Sequence, residues 1–270
     1  MGNLNEGILM TSKTLWRYRS DHPERQAELE EIAAEGRIWC PAAKTFNDPF
    51  DLNPVFLHSN IPISEQVRRV RRMIKNLGRD EGEYEEPMNR AREGYMNTEE
   101  YRATMEAGLR QELSEMPILC FYPDWSSLPM WAHYAGSASG FAVGIRFLEP
   151  WDDKYYPMPV KYSNDRPIVD LAEDMTEDDE IRIRHMEQIF LTKSTVWHQE
   201  EEERVIFYGR EEGHYQVDPQ SVVEICFGFN AQAELIERAI RISEERGGNL
   251  VVSQVHLSDR TYSLERNILA

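Results

Sequence analysis

Pro117-Ile118-Leu119-Cys120-Phe121-Tyr122 is where the chain changes its pattern. Ahead of it, from about residue 60 to 116, apolar residues recur every third or fourth position, the period of a helix with one buried face. Ser64 can cap one such helix, with Val67, Val70, Ile74 and Leu77 inward. Asn97 or Thr98 can cap another, carrying Tyr101, Met105, Leu109 and Leu113. Between them Gly78–Pro87 is charged and reads as a loop. Beyond Pro117 the apolar residues alternate or run in short blocks, as strands do. Ile118–Tyr122, Gly140–Phe147, Pro159–Tyr162, Glu203–Tyr208, Val222–Phe227 and Leu250–Leu257 are the candidates, and Thr261–Leu264 adds a terminal one. A short helix started by Ser126 or Ser127 runs through Met130, Trp131 and Tyr134. The acidic run Asp170–Glu180 leads into a helix over Ile181–Lys193. Asn230 can cap a last helix, with Leu235, Ile236, Ala239 and Ile240 inward, stopped at Gly247-Gly248.

Upstream of the helical stretch, Leu15–Arg19 and Arg37–Cys40 read as strands. The helix between them has Pro23 in its first turn, Leu29, Ile32 and Ala33 inward, and Gly36 just past its end. Phe46–Asp51 is a turn-rich loop around Asn47-Asp48-Pro49. Strands separated by helices of unequal length, without a steady βαβ rhythm, predict an α+β fold. The expectation is a single domain over 1–270, with a tail at 1–13 and the stretch 60–116 as a helical insertion packed on the sheet.

The 270 residues leave room for two domains, but the candidate functional clusters span most of the chain. With 41% hydrophobic residues there is material for a core. Thirty Lys and Arg stand against 48 Asp and Glu, a net charge of −18. That field repels phosphate backbones, so nucleic acid is not an expected partner, although a local basic patch stays open. Arg68, Arg69, Arg71, Arg72 and Lys75 form the one dense basic cluster and read as a solvated helix face. Residues 1–10 lack the basic and apolar parts of a signal peptide, and Glu6 stands where a myristoylation motif has Ser or Thr. No apolar run approaches the ~20 residues of a membrane helix. Cys40, Cys120 and Cys226 form no CxxC pair, so neither a zinc knuckle nor a disulfide framework is expected. The expected setting is cytoplasmic and reducing, with no membrane, no metal, and a protein partner or oligomer left open.

Four clusters carry candidate chemistry. In a strand, Arg17 and Arg19 share one face, with Trp16 and Tyr18 on the other. Arg forks grip carboxylate or phosphate, so they either bind a ligand or pair internally with one of the many acids. Asn47 and Asp48 form either a structural turn or the polar wall of a cleft. Met130-Trp131-Ala132-His133-Tyr134 offers either a stacking platform for a flat ring or core packing, and His133 is a candidate base or ligand. Last, Glu200-Glu201-Glu202-Glu203 precede the apolar Val205-Ile206-Phe207. Extended, Glu200 and Glu202 share a face, where a like-charge pair can orient a hydroxyl, stabilise a cationic transition state or hold a metal. GxGxxG, GxxxxGK, HExxH and GxSxG motifs do not occur.

These clusters, in this order, resemble the bacterial family known as domain of unknown function 2971. The resemblance rests on Trp16-Arg17-Tyr18-Arg19, Ile38-Trp39, Phe46–Asp51, Leu119-Cys120-Phe121, Met130–Tyr134, Gly140–Gly144, and Trp197, Glu200, Glu202 and Arg204. Gln199 and Glu203 depart from the aromatics of the last element. More distantly, the layout is similar to ADP-ribosyltransferases, with their split, mostly antiparallel sheet. That resemblance implies an NAD-consuming transferase, with NAD as co-substrate, acting as a defence or toxin-type effector against phage. It implies Glu202, Glu200 and Tyr134 as catalytic residues. Arg17, Tyr18, Arg19, Asn47, Asp48, Trp131 and His133 would line the nucleotide cleft, Arg17 and Glu202 facing it together. The alternatives are a non-enzymatic sensing or interaction domain and, less well matched, a metal-dependent nuclease using the carboxylates and His133.

Overall fold

The computed structural model describes residues 12–148, 156–173 and 179–270. In chain order the strands are β1 (Ser12–Arg19), β2 (Arg37–Cys40), β3 (Val55–Leu57), β4 (Ile118–Phe121), β5 (Phe141–Leu148), β6 (Met158–Pro159) and β7 (Lys161–Ser163). They continue with β8 (Ile168–Asp170), β9 (Thr192–Ser194), β10 (Glu203–Ile206), β11 (Gly213–Gln216), β12 (Val222–Phe227), β13 (Val251–Leu257) and β14 (Leu264–Ile268). The helices are α1 (Pro23–Glu30), α2 (Ile63–Asn76), α3 (Glu85–Arg92), α4 (Glu99–Glu115), α5 (Leu128–Tyr134), α6 (Asp179–Phe190) and α7 (Ala233–Glu245). The chain forms two compact units. One comprises Met1–Ala42, Met116–Val160 and Val196–Ala270; the other comprises Ala43–Glu115 and Lys161–Thr195.

The first unit is built on an open sheet in the order β1-β5-β12-β13-β14. Its neighbours run antiparallel except β12 and β13. Those two are parallel, which a hairpin cannot achieve, and α7 makes the crossover. Alternation puts Leu15, Val143, Ile225 and Val252 on one face, where they pack with Leu29 and Ile32 and with Leu235 and Ala239 of α7. The other face carries Trp16, Tyr18, Ala142 and Cys226, covered by Trp131, Met130 and Tyr122. Two smaller sheets, β4-β10-β6 and β11-β2, complete the unit. Tyr122, just past β4, exchanges both backbone hydrogen bonds with Trp16 at 2.7 and 2.8 Å, linking β4 to the main sheet. After α1 the chain widens into a π-helical turn at Glu31–Glu35 and stops at Gly36, whose φ is 69°. A Cβ there would stand 2.4 Å from the Val217 carbonyl oxygen, so glycine is required by both conformation and space.

The second unit holds α2, α3, α4 and α6 and two parallel strand pairs, β3 with β8 and β7 with β9. Val70 and Ile74 of α2 pack on Met88 and Ala91 of α3. Residues 60–115 of the stretch 60–116 lie in this unit, and Met116 belongs to the first.

The overall class is thus mixed α/β with a mostly antiparallel open sheet. Several local expectations need correction. Ser64 is not a cap, because α2 starts at Ile63 after Pro62, and Leu77 is exposed. Gly78–Pro87 is not simply a loop. Asp80 accepts a hydrogen bond from the Gly82 N–H at 2.8 Å, opening a 3-10 turn over Glu81–Tyr84 that runs into α3. Of the apolar series on α4 only Leu113 is buried, and Met105 is exposed. Spacing made that helix without supplying it a covered face. The predicted strand Pro159–Tyr162 divides, since Val160 N–H bonds to Glu202 O and Lys161 N–H to Leu191 O. Asn230 does not cap α7, whose N-cap is Gln232; its side chain donates to Ser137 O at 3.0 Å. The terminal strand begins at Leu264, later than predicted. Within the basic cluster, Arg68 and Arg69 pair with Glu65, and Arg71 with Glu81. The tail up to Thr11 and residues 174–178 of the acidic run lie outside the described residues.

Candidate functional site

The glutamate run is where sequence and tertiary structure meet. Thr195–Glu200 forms a 3-10 turn, Glu201 takes a φ of 48°, and β10 begins at Glu203. Glu200 and Glu202 turn inward, at 7% and 1% exposure, while Glu201 is exposed. The next side chain on the inward side is Arg204, which is fully buried. Its Nε donates to Glu202 Oε1 at 2.7 Å and its Nη2 to Oε2 at 3.2 Å. A carboxylate this deep persists because the guanidinium fork neutralises it and occupies both oxygens. Glu203 faces the other way and pairs with Lys13.

Glu200 meets a tyrosine. The Tyr134 hydroxyl donates to its Oε1 at 2.7 Å. Tyr134 is half-buried and sits at the end of α5. Its ring stacks on Tyr122, with centroids 5.8 Å apart and planes at 29°. Burial raises the Tyr122 pKa well above the ordinary phenol value, and the charges of Glu202 and Glu200 push it further in the same direction. β4 and β10 are antiparallel with Arg204 opposite Cys120 and Glu203 opposite Phe121, so one step along the register brings Glu202 alongside Tyr122. The result is two carboxylates, one arginine and two tyrosines around the end of β4. Tyr134 is its half-exposed member.

The remaining candidates fall elsewhere. Arg17 is buried in β1, where Nη2 donates to Trp39 O at 3.0 Å and Nη1 to Cys120 O at 3.5 Å. It ties β1 to β2 and β4, and its Nε is buried without a hydrogen-bond partner. Among the described residues it makes no hydrogen bond or ion pair with Glu200 or Glu202, so the expectation that Arg17 and Glu202 face one cleft is corrected. The reason is strand alternation: Arg17 leaves β1 on the Leu15 side, whereas Tyr122 packs with Trp16 and Tyr18. Arg19 forms a buried ion pair with Glu28. Tyr18 donates to Asp124 O at 2.7 Å, and burial raises its pKa. Trp131 is fully buried, donates from Nε1 to Trp125 O at 2.7 Å, and meets Tyr18 edge-on at 5.1 Å. It has no open face on which a base or nicotinamide could stack. His133 is exposed.

Asn47 and Asp48 belong to the second unit. Asn47 is exposed, and the buried Asp48 accepts from Phe50 N–H at 2.9 Å, which closes the turn; its Oδ2 is buried without a hydrogen-bond partner.

Tyr122 and Arg204 were absent from the predicted site. Arg204 had a signal, being the next same-face residue after Glu202. Tyr122 had none, because only the tertiary register brings it to the glutamates. Cys40 and Cys226 are buried, and burial pushes each thiol up to about 12, so neither is a ready nucleophile. Among the described residues no group of three or more His, Cys, Asp and Glu could hold a metal ion, and no helix is long and apolar enough to cross a membrane. No family model matches this chain, nor does any curated protein or solved structure among those compared.

Proposed function

We propose that the first unit carries a transferase-type site centred on Glu200 and Tyr134, acting on a substrate whose reacting carbon becomes cationic as a glycosidic C–N bond breaks. NAD is the substrate to which the resemblance points. The observation that carries this reading is the 2.7 Å bond from Tyr134 to Glu200, because it sets a half-exposed phenol against a buried carboxylate beside the Glu202–Arg204 pair. Glu200 and Glu202 bring two carboxylates to the cluster, and Arg204 brings one guanidinium. In a water-poor setting such a cluster favours positive charge on the bound group over neutral substrate. The departing nicotinamide takes the bonding pair, and the acceptor supplies the new bond to the sugar carbon.

On this reading the roles differ from those that the resemblance implied. Glu200 takes the place next to the substrate, and Glu202 is a positioning residue engaged by Arg204. Arg17, Tyr18, Arg19 and Trp131, as folded, offer a dinucleotide neither a phosphate clamp nor a stacking face, so no step is assigned to them.

The test is incubation of the whole chain with NAD, following free nicotinamide. Release that falls at least about tenfold in Glu200→Gln, with an unchanged melting temperature, supports the reading. Release equal in both proteins, or none across a panel of acceptors, overturns it. A second reading, a non-enzymatic interaction or sensing domain, is favoured by one observation: Arg17, Arg19, Glu202 and Trp131 each bond to protein groups. Absence of any heat on titrating NAD would favour that second reading.

A further inference from the structure

The loop after α5 holds its backbone in a costly shape. Gly136, Ser137 and Ala138 have φ of 59°, 57° and 63°, three left-handed residues in succession. Glycine adopts that region freely, whereas serine and alanine bring a Cβ against the following carbonyl. Such strain persists only where surrounding contacts over-determine it. Here the contacts come from the chain just past β12. The Asn230 side chain donates from Nδ2 to Ser137 O at 3.0 Å, and its backbone N–H donates to Ala138 O at 2.9 Å. Gly228 lies so close that a Cβ on it would stand 2.0 Å from the same Ala138 oxygen. The strained turn grips α5 in its own right. Ala138 N–H donates to Trp131 O at 3.1 Å, and Gly140 N–H donates to Ala135 O at 2.9 Å. α5 has seven residues, and Ser127 at its start makes no side-chain capping bond. A helix that short does not sustain itself, so packing and the contacts at its ends orient it. Tyr134 is its last residue, placed between Trp131 and the strained turn, and its hydroxyl reaches Glu200 at 2.7 Å.

We propose that Asn230 is a positioning residue for Tyr134: by clamping the left-handed turn at Ser137 and Ala138 it fixes the end of α5, and with it the tyrosine hydroxyl against Glu200. The clamp needs an amide. Its NH2 donates to the Ser137 carbonyl, whereas an aspartate of the same shape presents only acceptor oxygens there. Asn230 is exposed, so its replacement spares the core. Without the clamp, Ser137 and Ala138 relax toward the backbone regions that residues with a Cβ favour, and the end of α5 moves with them. For its effect on catalysis the inference rests on the Glu200 and Tyr134 reading. The coupling between Asn230 and Tyr134 holds whether or not NAD is the substrate.

A double-mutant cycle on the full chain decides it. Tyr134→Phe is expected to lower the melting temperature of the parent by about 2–6 °C, the loss of one hydrogen bond to a carboxylate. In Asn230→Ala and in Asn230→Asp the same substitution lowers it by less than half as much, because the hydroxyl is no longer held on Glu200. A loss above half of the parent's in either background overturns the proposal, and so does a parent in which Tyr134→Phe costs nothing. A second arm follows nicotinamide release from NAD. The expected result is a kcat about tenfold lower in Asn230→Ala at unchanged KM, with Asn230→Asp behaving like Asn230→Ala. An unchanged kcat beside an active parent overturns the positioning role. A coupled cycle with no release from the parent supports the clamp and overturns the transferase reading alone, so the two failures are told apart.

Discussion

Arg204 and Arg166 are each held by two or more oxygen contacts, and the oxygens differ. Arg204 is fully buried, and its fork closes on the carboxylate of Glu202. Arg166 is exposed and rests on the carbonyls of Asn53 and Pro54 and the Asn53 side-chain oxygen. A guanidinium matched to a carboxylate in the interior has its charge consumed by the fold. One steadied by neutral oxygens has no ion pair among the described residues. Glu202 and Glu200 meet different groups as well: Arg204 forks onto the first, and the Tyr134 hydroxyl donates to the second.

The comparison can be broken most sharply at Arg204. Arg204→Met strands Glu202 in the core and is expected to cost about 3–5 kcal/mol in chemical denaturation. Combining it with Glu202→Leu removes the stranded charge, and most of the loss returns. A single variant within about 1 kcal/mol of the parent would mean that this pair is not what holds the glutamate run in place. Tyr134→Phe is the middle case. It removes one hydrogen bond to a charged acceptor and is expected to cost about 1–2 kcal/mol of stability. Its larger consequence, on the proposed reading, is slower nicotinamide release. The smallest effect belongs to Arg166→Gln, expected below about 1 kcal/mol because the site is exposed and its partners can turn to water. A loss as large as that at Arg204 would show that Arg166 is structural after all.

Burial and chemistry were not equally legible along the chain. The bounds of β2 and β12 follow from their apolar blocks alone, as does the stop of α7 at Gly247-Gly248, where φ is 68° and 77°. β3 and β8 were missed because three residues carry too little pattern, and each strand exists only through its parallel partner. An extended run predicts one shared face for Glu200 and Glu202, but the chain turns them inward through a 3-10 turn and a left-handed Glu201 ahead of β10. The repulsion expected between them is relieved by Arg204, one step further along the same face.

Sequence by itself determined the mixed composition of elements, most strand positions in the second half and the residues worth testing, because local periodicity and turn chemistry act over a few neighbouring positions. Only tertiary structure decided which charges were consumed. Arg17 was drawn to backbone carbonyls on the core side of β1, Trp131 was sealed against Tyr18, and Asn47 and Asp48 fell in the other unit. For Arg17 and Trp131 the outcome depends on partners distant in sequence, Trp39 and Tyr18, which no local pattern records.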